Sequence, residues 1–187
     1  IYLACRDELK AKAAKADLEK STGRSIFEII IMDVSNSDSV KLAVAELKEP
    51  IDALIMNAGG MGGKAPEKIT TDGVTQQFAA NVLGHVVLVD ELLKAGKLKN
   101  VALYASSEAA RGVKNMGMKQ PDLKTSSIDE FASVIDGSYF GDKFDAMQAY
   151  GYIKYVATMW MSSEARKNPN IKFISISPGS TKGTAVM

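Results

Sequence analysis

Five short apolar runs punctuate the chain: "IYLAC" (1–5), "FEIIIM" (27–32), "DALIM" (52–56), "VALYA" (101–105) and "KFISIS" (172–177). Stretches with helical spacing separate them. This alternation constrains the fold more than any other feature. Parallel strands need crossovers long enough to hold a helix, and a parallel sheet must be covered on both faces. The pattern therefore predicts an α/β fold with a doubly wound, mainly parallel sheet. The helical stretches carry their own boundary signals. "RDELKAKAAKADLEKSTG" is rich in strong helix formers and closes on Gly23. "SNSDSVKLAVAELKEP" opens on cap candidates, sets Val40, Ala43, Val44 and Leu47 at helical spacing, and stops at Pro50. Further helices are expected over about 75–93 and about 147–166.

With 187 residues and 46% hydrophobic content, one core and a single domain over 1–187 are expected. The charge is balanced, 23 basic against 22 acidic residues, which argues against a nucleic-acid partner. The one cysteine, Cys5, cannot close an internal disulfide; it reads as a small buried hydrophobe and favours a reducing compartment. No apolar run approaches the ~20 residues of a membrane helix, so a soluble protein is expected. The nine methionines are scattered and read as core filler, and no grouping of His, Cys, Asp and Glu has metal-ligand spacing. Between Arg111 and Gln148 no strand-like run occurs. "SIDEF" there has the look of a capping box, Ser127 to Glu130, and the stretch is expected to lap over a substrate side.

The glycine-rich "IMNAGGMGGKAP" raises the possibility of a phosphate loop. A Walker loop fails twice, with Ala58 at its first glycine and Ala65 at its hydroxyl position, so a P-loop phosphotransferase is excluded. A dinucleotide G-x-G-x-x-G fails too, because Ala65 follows Gly60 and Gly62 at the third position. What remains is a strand ending in Asn57, Ala58 and Gly59, at the sheet end where open α/β folds bind ligands.

Taken in order, these segments resemble the short-chain dehydrogenase/reductase family along nearly the whole chain. "IYLACRD" is similar to the family's second strand, with Arg6 where NADP-preferring members carry a basic residue. "MDVSN" is similar to the third, with Asp33 and Val34 near the adenine. "NAG" (Asn57, Ala58, Gly59) matches the motif after the fourth strand, which implies a loop that contacts the cofactor without holding its pyrophosphate. "FAANVLGH" matches the segment of the active-site asparagine, Asn81. "YASSEA" matches the catalytic-serine strand, with Ser107 preferred to its neighbour Ser106. "AYGYIKY" supplies Tyr-x-x-x-Lys as Tyr150 and Lys154. "SISPGSTKGT" resembles the turn after the sixth strand, placing Pro178, Gly179 and Thr181 at the nicotinamide end, with Gly183 where many members have a second threonine. In detail the wording is most similar to the branch of retinol dehydrogenases and protochlorophyllide reductases.

The residue types make chemical sense beside that resemblance. Tyr150 and Lys154 lie four apart and share a helix face. An adjacent ammonium is expected to lower the phenol toward neutrality, where it can serve as acid and base. A serine hydroxyl can polarise a carbonyl where charge develops. The resemblance further implies that Lys154 binds the nicotinamide ribose and that Asn81 holds a water linking Lys154 to solvent. It implies an NADP-dependent oxidoreductase interconverting a carbonyl and an alcohol, with NAD the lesser alternative and a small, apolar substrate. Arg6 would meet a 2′-phosphate with charge-assisted hydrogen bonds. Tyr152 and Tyr155 lack a lysine partner and read as packing residues, and His85 as a structural or interface histidine. A homo-oligomer through the helices over 75–93 and 147–166 is expected, with Trp160 exposed beyond the core stripe. A non-catalytic subunit that uses the fold as a scaffold in a larger assembly is the alternative.

Members of the family begin with a strand and a Gly-rich turn that have no counterpart here, and that strand lies in the middle of their sheet. The expectation is an incomplete sheet, belonging to a piece of a longer protein or to one in which another element fills the gap. The Ser107 to Tyr150 separation is long, and the family's downstream substrate-binding helices have no counterpart in this sequence.

Overall fold

In the computed structural model, which describes residues 1–179, every one of the five apolar runs contains a strand. β1 (Tyr2–Cys5) leads into α1 (Glu8–Thr22), capped by the Asp7 carboxylate, which accepts from Lys10 N; the helix ends on Gly23 in the left-handed conformation (φ 67°). β2 (Glu28–Ile31) precedes α2 (Ser37–Glu46), capped by Asn36, whose Val40, Ala43 and Val44 are buried as their spacing requires. β3 (Ile51–Met56) ends at the glycine-rich loop. The next helix is not continuous. α3 (Gln76–Phe78) passes into one π-helical turn (Ala79–Leu83) and then α4 (Gly84–Lys94). β4 (Leu98–Ala105), α5 (Ile128–Asp136), α6 (Ala146–Lys167) and β5 (Lys172–Ile176) complete the order.

The strands are parallel, as the alternation predicted, but they form two sheets, β1–β2 and β3–β4–β5. The physical reason is local: among the described residues, β1 pairs only with β2 and β3 only with β4. Packing of α2 against α4 bridges the two sheets. The core lies on this side, where Met56, Ala102 and Tyr104, which share one face of the second sheet, are buried with Val40, Val89, Leu92, Ile153 and Met161. Gly84 makes the approach possible. A Cβ there would fall 1.7 Å from the carbonyl oxygen of Val34.

The stretch between Arg111 and Gln148 folds back on α6. Ser127 caps α5 by accepting from Glu130 N, as "SIDEF" suggested, while the Glu130 carboxylate accepts from the backbone of Lys124, Thr125 and Ser126. Tyr139 and Phe140 stack with Tyr152 of α6, and Phe144 stacks on Phe140, so that tyrosine packs as its reading expected. Trp160 differs from expectation: it is half-buried and packs against the core.

Candidate active site

The carboxyl ends of β1, β2 and β3 converge on a cavity of about 700 Å³. Arg6, Asp33, Val34, Ala58 and Gly59 line it, together with Gly60 to Gly63. Arg6 stands exposed where β1 ends, and the Asp33 carboxylate accepts from the Ser35 backbone and hydroxyl, which holds the turn after β2. Asn57 is exposed at the end of β3 and is not part of the lining; Pro178 and Gly179 are exposed beyond β5 and also lie apart from it. Thr181 and Gly183 fall outside the described residues.

A second group of side chains adjoins this cavity through Gly59. Its φ of +150° suits glycine, and a Cβ would come 2.5 Å from Asn81 Oδ1 and 3.7 Å from Lys154 Nζ. Asn81, fully buried in the π-turn, spends its amide on the loop: Oδ1 accepts from Gly60 N (3.0 Å) and Nδ2 donates to Gly60 O and Gln77 O (both 2.8 Å). Lys154 is buried on α6 and donates to Tyr104 Oη and to the Ala105 carbonyl, both at 2.9 Å. Burial lowers its pKa to about 8. Tyr150 is half-buried one turn earlier, with Lys154 Nζ 5.5 Å from its ring centre.

Burial pushes the Tyr150 phenol above its ordinary value, and a hydrogen bond from Ser107 works against that shift. The lowering expected from the lysine is therefore absent in this geometry. The ammonium sits over the ring face and gives its hydrogen bonds to Tyr104 and Ala105. Of the two serines, Ser107 is the one beside Tyr150. Ser106 instead shares a 3.0 Å hydrogen bond with Thr158 on α6. The structure thus brings Asn81, Ser107, Tyr150 and Lys154 together at the end of β4.

Sequence reasoning missed two supporting residues, Gln77 and Tyr104. Gln77 is buried and donates to Met61 O (3.3 Å) and Ala146 O (2.9 Å), tying the glycine loop to the start of α6. His85 holds the Ala58 carbonyl through Nε2 at 2.7 Å, a structural part consistent with its reading. Tyr104 joins Lys154 to the Asn81 carbonyl. Only burial on an alternating strand could have flagged Tyr104, and that reads as core. Among the described residues no group of three or more His, Cys, Asp or Glu could hold a metal, and no helix is long and apolar enough to cross a membrane.

The sequence profile of the short chain dehydrogenase family matches residues 1–118. Dehydrogenase/reductase SDR family member 12 of Bos taurus is 27% identical over 182 residues, covering 96% of this chain and 52% of that protein. Short-chain dehydrogenase/reductase prx1 of Penicillium roqueforti is 29% identical over 185 residues, covering 96% of this chain and 49% of that protein. Retinol dehydrogenase 12 of Bos taurus is 36% identical over 106 residues, covering 54% of this chain and 32% of that protein. The chain spans about half the length of the first two of these relatives. A crystal structure from Mycobacterium paratuberculosis superposes with a TM-score of 0.73 at 21% identity, covering 99% of this chain and 60% of that one. A short chain dehydrogenase from Burkholderia cenocepacia in complex with NADP superposes with a TM-score of 0.65 at 19% identity, covering 99% of this chain and 65% of that one. At these identities the structures establish the α/β Rossmann-like fold.

Proposed function

The chain belongs to the short-chain dehydrogenase family, and from that premise we propose that it is an NADP-dependent oxidoreductase that interconverts a carbonyl and an alcohol. The observation that carries the reading is the juncture at Gly59, where the cavity bounded by Arg6, Asp33 and Val34 meets the cluster of Asn81, Ser107, Tyr150 and Lys154. The residues present fit a nicotinamide dinucleotide phosphate. The cavity has a backbone wall of glycines, and the exposed Arg6 guanidinium at its rim suits a phosphate monoester. Asn57, Ala58, Pro178, Gly179 and Thr181 would complete the cofactor contacts, and residues 1–187 would act as one nucleotide-binding unit. The bound cofactor supplies or accepts the hydride.

The chain's own residues manage the oxygen and its proton. In reduction, the carbonyl carbon gains the hydride, the C=O π pair moves to oxygen, and that oxygen takes the proton of the Tyr150 hydroxyl. In oxidation the phenolate recovers it. Ser107, beside Tyr150, turns its single hydroxyl hydrogen from the phenol to the same oxygen as charge grows there. With its hydrogen bonds given to Tyr104 and Ala105, the Lys154 ammonium acts on the phenolate left behind only through space, 5.5 Å from the ring centre, while burial opposes that charge.

The test is turnover of NADPH by the full-length protein over a panel of apolar aldehydes and ketones, with Tyr150→Phe beside it. A loss of about 10²–10⁴-fold in kcat with folding intact is expected, the range of a general acid–base residue. Turnover that survives Tyr150→Phe overturns the assignment of that residue. Absence of any turnover from a protein that binds NADPH favours the scaffold alternative.

A further inference from the structure

The geometry points to Tyr104 as the positioning residue of Lys154: we infer that its hydroxyl holds the ammonium in place, anchors it to the π-turn, and so sets the pH range over which the Tyr150 centre works. The kinetic half of this inference rests on the function proposed above. The half that concerns Lys154 does not.

The hydrogen bonds leave the Tyr104 hydroxyl only one arrangement. An ammonium can donate and cannot accept, so at 2.9 Å from Lys154 Nζ the phenol oxygen must be the acceptor. Its own hydrogen then goes to the Asn81 carbonyl, also at 2.9 Å. The result is a directed chain, from Lys154 through Tyr104 to the backbone of the π-turn, and it ends on a carbonyl that passes no proton onward. The ring contributes as well, because Nζ lies 4.6 Å from the centre of the Tyr104 ring and gains from its electron-rich face. Everything here is out of water. Tyr104 is fully buried, Asn81 is fully buried, and Lys154 is buried to 3% exposure.

The groups that face the Tyr104 hydroxyl come from each neighbouring element: Lys154 and Tyr150 from α6, His85 from α4, with its ring edge-on at 5.8 Å, and Asn81 from the π-turn. No carboxylate among them supports the ammonium, and burial alone pulls Lys154 down. The lysine therefore keeps its charge through its neutral acceptors, the Tyr104 hydroxyl and the Ala105 carbonyl. Removing the hydroxyl takes away one of these and leaves the Asn81 carbonyl without the phenol's hydrogen bond. The ammonium must then release its proton at lower pH. Because reduction needs the charged lysine beside Tyr150, the alkaline limb of the rate profile must move down with it.

Two readouts on the full-length protein test this. The first follows the Nζ resonance of isotopically labelled lysine, assigned through Lys154→Met, as pH is raised. In Tyr104→Phe its midpoint is expected about one pH unit or more below the wild-type value, the scale of a hydrogen bond to a charged group. The second is the pH profile of NADPH-dependent reduction, whose alkaline limb shifts the same way. A purely structural role for Tyr104 lowers the amplitude of that profile and leaves its midpoint in place.

If Tyr104→Phe unfolds, 3-fluorotyrosine at position 104 keeps the ring and hydroxyl while weakening the oxygen as an acceptor, and a smaller shift in the same direction is expected. An unchanged Lys154 midpoint in either folded variant overturns the inference. A shifted midpoint in a protein with no turnover keeps Tyr104 in its role and removes the oxidoreductase reading instead.

Discussion

His85 shows how much a single side chain can commit the site to neutral pH. It is buried beside Lys154 and Tyr104, donates from Nε2 to the Ala58 carbonyl, and leaves Nδ1 without a partner. Burial lowers its pKa from 6.5 to about 4, with the lysine charge adding to the shift and the Ala58 bond opposing it. The unfolded chain takes up this proton below pH 6.5 and the folded chain only below about 4. The stability tied to neutral His85 is therefore complete above pH 6.5 and is lost as pH falls through that window. The loss amounts to about 3 kcal/mol by proton linkage. Thermal unfolding of the full-length protein should show a Tm that drops between these pH values, and His85→Gln should flatten the drop. An equally steep fall in His85→Gln would assign the acid sensitivity to other groups.

At the scale of elements, α4 meets the turn after β2 closely enough to require a glycine. A methyl group at Gly84 would sit 1.7 Å from a backbone oxygen, which no rotamer change relieves. Gly84→Ala should cost about 1–3 kcal/mol or more, as overpacking does. It should also weaken NADPH binding, because the displaced residue, Val34, lines the cavity. Calorimetry and a nucleotide titration check both, and an unchanged Tm would show that α4 slides freely. The elements themselves were legible beforehand. Apolar runs marked every strand, Gly23 and Pro50 marked stops, and Ser127 marked a cap, all signals carried by neighbouring residues. The π-turn was not, since its register comes from Asn81 reaching across to Gly60 and from Gly84 meeting Val34. Tyr150 and Lys154 could be paired because they are one turn apart. Tyr104 and Gln77 act on residues far along the chain, and local spacing holds no trace of that.

Across the whole molecule, the two sheets are covered unequally. The buried face of β3–β4–β5 packs under α4 and α6, while the other presents Ile55, Ile174 and Ile176 at 70%, 42% and 49% exposure. Parallel sheets are ordinarily covered on both faces, and an apolar surface of this kind attracts other apolar groups. Residues 1–187 on their own should bind a fluorescent apolar dye and associate with rising concentration. Ile55→Thr with Ile174→Thr should reduce both effects. Dye fluorescence that ignores the double substitution would place the sticky surface elsewhere. The division into two sheets has a mechanical meaning as well. No strand pairing joins them among the described residues, so their placement rests on packing, where α2 meets α4 and the Val34 backbone meets Gly84. In residues 1–187 taken alone, that seam should therefore yield before either sheet loses a strand.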